Sequence, residues 1–175
     1  MDADALLRTH ADRIYSLALR LMGSRDEAAD AAQEVLVRLW QHGRDVPDER
    51  RLAWTLRVTR NVCLDALRAR RLRTAASLDN VPEPAATEPD PSEHADAASL
   101  RPHLDAALDA LGEPFRSIVV LREVEGYAYG EIAEALELPL TTVKVYLHRA
   151  RQRLRDVLRI RLPPESLPRL DRATA

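Results

Sequence analysis

Apolar side chains recur at three- and four-residue spacing through most of this 175-residue chain, and no stretch alternates with the two-residue rhythm of a strand. Ile14, Leu17, Ala18 and Leu21 predict a helix over 4–21, which Gly23 stops. Ser24 with Glu27 three residues on reads as a capping box, opening a second helix with Ala32, Val35, Leu36 and Leu39 inside. Residues 41–48 (QHGRDVPD) predict a loop, with Asp48 placed to cap a third helix reaching to about Arg71. After a gap, Leu104, Leu108 and Leu111 mark a helix ending at Gly112. The next begins at Pro114, buries Ile118 and Leu121, and ends at Gly126. A short helix over 131–137 and a long one from Thr141 to about Ile160 complete an all-α pattern.

The gap is different in kind. Residues 74–100 hold four prolines (Pro82, Pro84, Pro89, Pro91), six acids and almost no large apolar side chains. Such a segment cannot bury enough surface to order itself, so it predicts a flexible acidic linker between two small helical domains, 1–73 and 101–161. The Pro-rich tail 162–175 predicts disorder.

Charge sharpens this division. The net charge of −2 conceals +6 over residues 51–73, −6 over 74–100, −5 over 101–141 and +6 over 142–161. Two basic segments with acid between them suggest two contacts with a polyanion, or two solvated helix faces. Composition narrows the rest. Aromatics are 4% and glycines five, few for a turn-rich β fold, while Ala, Leu, Arg and Glu favour helix. Cys63 is the sole cysteine, so no intrachain disulfide can form, and its place on an apolar stripe suits buried packing. The first residues show no secretory signal, and no run approaches the roughly twenty apolar residues of a membrane span, so a cytoplasmic protein without membrane insertion is expected. With no phosphate-cradling glycine loop, no clustered metal ligands and five scattered histidines, neither an enzyme nor a bound cofactor is expected.

Two stretches carry chemistry. On LAWTLRVTRNVCLDALRARR, a turn of about 100° per residue puts Leu52, Leu56, Thr59, Cys63 and Leu67 together. Trp54, Arg57, Asn61, Asp65 and Arg68 gather opposite. Aromatics stack on unpaired bases, and Arg and Asn bond phosphates and base edges. Periodicity alone favours the other reading, in which Trp54 packs against a neighbouring helix among solvated arginines. The second stretch is GEIAEALELPLTTVKVYLHRARQRLRDVL, a short helix, a Leu-Pro-Leu turn and a Thr141-capped helix in helix-turn-helix spacing. Val143, Leu147, Ala150 and Leu154 face inward, leaving Thr142, Lys144, Val145, Tyr146, His148, Arg149 and Gln152 for DNA. Turn, cap, stripe and basic run coincide, which favours DNA binding over a plain bundle helix.

With these residues stands a resemblance. IYSLALRLMGSRDEAADAAQEVLVRLW, RLAWTLRVTRNVCLDALRARR, ALDALGEPFRSIVVLREVEGYAYGEIAEAL and LPLTTVKVYLHRARQRLR, in that order, resemble a bacterial RNA polymerase sigma factor of the sigma-70 family, extracytoplasmic-function (ECF) group. The resemblance implies a non-catalytic initiation subunit whose partners are core RNA polymerase (the β′ clamp helices and the β subunit), promoter DNA and an anti-sigma factor. It implies that Asp30, Gln33, Glu34 and Arg38 dock on the clamp helices. Trp54, Arg57, Asn61, Asp65 and Arg68 would melt and read the minus-ten element, with Asn61 near a captured base. The helix-turn-helix would read the minus-thirty-five element, and the linker would pass near the RNA exit path.

Three departures from the family pattern stand out. Val145 and Tyr146 replace a small polar residue and an arginine, loop 41–50 lacks an aromatic, and Ala128 stands where Ser or Thr usually caps the next helix. A stand-alone helix-turn-helix regulator and a sigma-like decoy that holds a partner without starting transcription are the competing expectations.

Overall fold

The structure is a computed structural model, and it describes residues 3–76 and 95–161. Helices α1 (Ala3–Met22), α2 (Arg25–His42) and α3 (Asp48–Ala76) pack pairwise into an N-terminal bundle. Its core is the stripe expected from the pattern: Ile14, Leu17 and Leu21 of α1, Val35 and Leu39 of α2, and Leu56, Thr59, Cys63 and Leu67 of α3 are buried. Each such aliphatic side chain removed from water stabilises the bundle by about 1.5–3 kcal/mol. Ser24 caps α2, its side chain accepting from the Glu27 amide at 3.4 Å. The Glu27 carboxylate turns instead to Arg70 of α3, at 2.8 Å.

The C-terminal half is built around one long helix. Helices α4 (Ala95–Leu111), α5 (Phe115–Val119), α6 (Tyr129–Leu136) and α7 (Leu140–Arg161) enclose Leu111, Ile118, Leu121, Ile132, Val143 and Leu147, with α7 touching each of the other three. Helix α5 runs into a π turn, Val120–Val124, where the Glu125 amide reaches the Val120 carbonyl at 3.0 Å. Gly126 then takes a left-handed φ of 78°, a conformation cheap only for glycine, and the Tyr127 amide closes the end on the Leu121 carbonyl at 2.9 Å.

Several boundaries differ from the sequence reading. Helix α3 runs five residues past Arg71 and α4 begins at Ala95, so 74–76 and 95–100 of the expected linker are helical. Residues 77–94 and the tail from 162 lie outside the described residues. Pro102 falls inside α4 rather than near its start, and Leu104 is exposed while Ala107, Leu108 and Leu111 carry the buried face. Asp48 and Thr141 are in the first turns of α3 and α7 rather than at their caps, and the Val143 amide bonds the Pro139 carbonyl at 3.1 Å. Ala128 does precede α6 without a side-chain cap; only the reciprocal half of the box forms, the Ala128 amide donating to Glu131 Oε2 at 2.7 Å.

The buried face of α3 is wider than one stripe. Arg51, Ala53, Thr55, Val62 and Leu64 are buried beside the expected residues, because α3 is packed on both sides. Helices α1 and α2 lie on one side and α6 on the other, and a single apolar cluster runs through both halves of the molecule.

Candidate nucleic-acid interface

Helix α2 presents a mixed outer face. Asp30, Gln33, Glu34 and Arg38 are exposed, with Glu34 and Arg38 paired at 2.5 Å one turn apart. Val37 and Trp40 continue that face, and Trp40 is 60% exposed. The two form an exposed apolar pair on an otherwise polar helix face. The sequence reading missed it, although both residues fall off the inner stripe of α2 and could have been found there.

Between α2 and α3, a buried arginine organises the loop. Arg51 Nε donates to the Gly43 carbonyl at 3.0 Å and its NH2 to the Val46 carbonyl at 2.9 Å, while its NH1 pairs with Asp48 at 2.5 Å. The guanidinium fork thus ties both ends of the turn to the start of α3, work a single-point cation could not do. His10 of α1 is buried close by, and its Nδ1 finds no hydrogen-bond partner among the described residues. Burial first, then the Arg13 and Arg51 guanidiniums, hold its pKa below the ordinary imidazole value.

The outer face of α3 divides into two parts. Asn61, Asp65 and Arg68 are exposed, with Asp65 and Arg68 paired at 2.7 Å, and Asn61 Oδ1 accepts from Arg60 NH1 at 3.3 Å. Trp54 and Arg57 are half-buried and face the C-terminal half. Arg57 pairs with Glu137, and Arg50, one turn before Trp54, with Glu134 of α6 at 3.4 Å. Helical spacing sets Trp54 between these two ion pairs, so the packing reading of Trp54 describes its place here. Arg60, which sequence reasoning passed over, donates through Nε to Ser117 Oγ at 2.9 Å and through NH2 to Glu113 Oε2 at 3.1 Å.

Cys63 lies behind this face, fully buried, with burial pushing its thiol up to about 12 against a smaller opposing pull from Arg116. It is a packing residue, inert as a nucleophile or ligand. Among the described residues no group of His, Cys, Asp and Glu is gathered closely enough to hold a metal ion.

Helices α6 and α7 form the two arms of a helix-turn-helix, joined by Glu137, Leu138 and Pro139. Glu137 adopts φ 54°, ψ 41°, the left-handed conformation that glycine usually supplies at this position. Val143, Leu147 and Ala150 anchor α7 in the core. Lys144, Val145, His148, Arg149 and Gln152 stand exposed along its outer side, and Thr142 is half-buried. Tyr146 is placed differently. It packs against Phe115 with centroids 5.0 Å apart and the rings tilted by 43°, and the Arg153 guanidinium lies 4.4 Å from the Phe115 ring. Its ring therefore serves α5–α7 packing, leaving Val145 as the exposed member of the departing pair.

Taken together, these features define a two-part, all-helical DNA-binding protein: a helical bundle with an Arg/Asn face, followed by a helix-turn-helix with a basic outer surface. Residues 6–73 match the Sigma-70 region 2 family and residues 103–154 the Sigma-70, region 4 family. The chain is 39% identical over 156 residues to the ECF RNA polymerase sigma factor SigE of Mycolicibacterium smegmatis, covering 89% of this chain and 61% of that protein. It is 34% identical over 157 residues to the ECF RNA polymerase sigma factor SigL of Mycobacterium tuberculosis, covering 88% of this chain and 87% of that protein. Its fold is shared with the sigma factor RpoE of Bartonella quintana, solved in complex with the anti-sigma factor NepR, at a TM-score of 0.69 and 24% identity, over 88% of this chain and 94% of that one. The chain belongs to the sigma-70 family of RNA polymerase sigma factors, in its ECF group. It is a non-catalytic subunit that directs promoter-specific transcription initiation. Among the described residues, no helix is long and apolar enough to cross a membrane.

Proposed function

We propose that the two halves divide the work of initiation between them. The α2 face of Asp30, Gln33, Glu34 and Arg38, extended by Val37 and Trp40, docks on the β′ clamp helices, its exposed tryptophan supplying the apolar anchor that such interfaces favour. The α3 face melts and reads the minus-ten element, with Asn61 exposed to meet an unstacked base and Arg68 two turns further along the same helix for the backbone. Helix α7 enters the major groove at the minus-thirty-five element with Lys144, Val145, His148, Arg149 and Gln152. The segment joining the halves passes near the RNA exit path, and the chain also contacts the β subunit. The chain works in the cytoplasm and is held by an anti-sigma factor until released.

The observation that carries this reading is the union, in one chain, of an exposed Asn61 on an arginine-rich helix and a helix-turn-helix with a basic outer face. Either DNA contact alone is weak, and polymerase, by fixing the separation of the halves, makes the second contact effectively intramolecular. Permanganate footprinting of promoter complexes tests the division of labour. Asn61→Ala should lose thymine reactivity in the melted region while retaining polymerase binding; an equal loss of polymerase binding would refute the role given to Asn61.

A further inference from the structure

Helix α7 is held from three sides. Val143, Leu147 and Ala150 are buried in the core beneath it. On one flank, Tyr146 packs against Phe115, and the Arg153 guanidinium lies 4.4 Å from the same Phe115 ring. On the other, Arg151 donates through Nε and NH2 to one carboxylate oxygen of Glu123 in the π turn, at 3.1 and 2.6 Å. A turn of about 100° per residue places Tyr146 and Arg153 roughly 80–100° to one side of Val145, and Arg151 roughly 120° to the other. The three buried anchors fall behind it. The rotation of α7 about its own axis is therefore fixed, and Val145 stands at the crest of the outward face.

Around Val145 that crest is polar. Thr141, His148, Arg149 and Gln152, one to two turns away on the same side, are all exposed. Between Thr141 and Arg159, Val145 is the one large apolar side chain that is exposed, at 46%. Its two branches at Cβ leave essentially one χ1 rotamer in a helix, so it has little freedom to lose on meeting a surface. It offers neither donor nor acceptor. In a major groove its favourable contact is the C5 methyl of thymine, the apolar group that the base pairs present there. A cytosine amino group or a purine N7 set against Val145 would lose water and gain no partner. One side chain thus attracts thymine and disfavours the other bases.

We propose that Val145 is a specificity-determining residue that reads a single thymine through its methyl group. The minus-thirty-five element of this chain then carries an A·T pair facing the middle of α7. Tyr146, engaged with Phe115, leaves that contact to Val145 alone. The proposal deepens the reading of α7 as a major-groove helix and rests on it.

Holoenzyme assembled from the full-length chain and bacterial core polymerase is used first to recover bound genomic fragments. It then selects from a library of one such fragment whose upstream element has been randomised. The wild-type chain should fix thymine at one position. Val145→Ser should relax that position and leave the other selected positions unchanged. Serine and valine have similar helix propensity and the site is exposed, so this substitution reads contact rather than folding. Replacing the selected thymine by uracil removes only the methyl group, and should weaken wild-type binding roughly 3- to 10-fold. Val145→Ser should bind the two DNAs equally. A 5-methylcytosine·guanine pair at that position should bind the wild type more tightly than cytosine·guanine, and the variant no more tightly. The proposal is overturned if uracil binds as well as thymine at every selected position, or if Val145→Ser selects the same element as the wild type. Either result, with an upstream element still selected, sinks the methyl contact alone. Selection of no upstream element by the wild type would sink the reading of α7 as a major-groove helix together with it.

Discussion

Replacing Arg51 with methionine keeps most of the apolar stem and removes the fork that holds the α2–α3 loop. The structure sets the magnitude. Two charge-assisted bonds are lost, to the carbonyls of Gly43, which is buried, and Val46, which is half-buried. Each such bond contributes about 1.5–3 kcal/mol, and a buried carbonyl left unpaired bears its full desolvation cost. The Asp48 pair adds little, because that carboxylate is 81% exposed and screened by water. Against this, removing a buried cation recovers part of its own desolvation. The balance is a loss of about 2–4 kcal/mol, or roughly 4–16 °C in Tm for a chain of this size. Urea denaturation followed by circular dichroism at 222 nm would show a lower midpoint at an unchanged slope. Arg51→Lys, with its charge intact but no fork, should fall between the two. A loss under about 1 kcal/mol for Arg51→Met would refute the claim that this guanidinium holds the loop.

Two further predictions concern single residues. Because the folded pKa of His10 lies below its ordinary value of 6.5, the folded chain keeps it neutral where the unfolded chain takes up a proton. The associated stability is full above pH 6.5 and is lost as the pH falls through the folded value, by at most about 1.4 kcal/mol per pH unit, and His10→Gln should flatten that slope in denaturation midpoints taken between pH 7 and pH 5. On α7, Lys144→Ala should weaken binding to a minus-thirty-five duplex and reduce the salt slope by roughly 1, whereas Tyr146→Phe should leave both unchanged since its ring is engaged with Phe115; a reversed pattern would mean that Tyr146 leaves Phe115 to meet DNA.

Much of the fold was legible because local signals agreed. The left-handed stops at Gly23, Gly112 and Gly126, the inner stripes of α1, α2 and α7, and the Leu138–Pro139 turn each act within a few residues, where periodicity and turn chemistry have full force. What escaped was non-local. A helical wheel cannot show that α3 is covered on two sides, so the burial of Arg51 and the particular neighbour of Trp54 carried no local signal. The charge blocks were visible, but their mutual pairing depends on chain segments about 53 to 84 residues apart meeting in space, as Arg60–Glu113 and Arg50–Glu134 do. The engagement of Tyr146 with Phe115 is likewise tertiary, and the π turn at Val120–Val124 has no sequence signature that period-based reading detects.

The most direct test of the account is run-off transcription from genomic fragments with purified bacterial core polymerase, with and without the full-length chain. The account predicts discrete transcripts that appear only with the chain and start downstream of two spaced elements, and that fail with Asn61→Ala despite retained polymerase binding. A chain that neither binds core polymerase nor yields a transcript would contradict it.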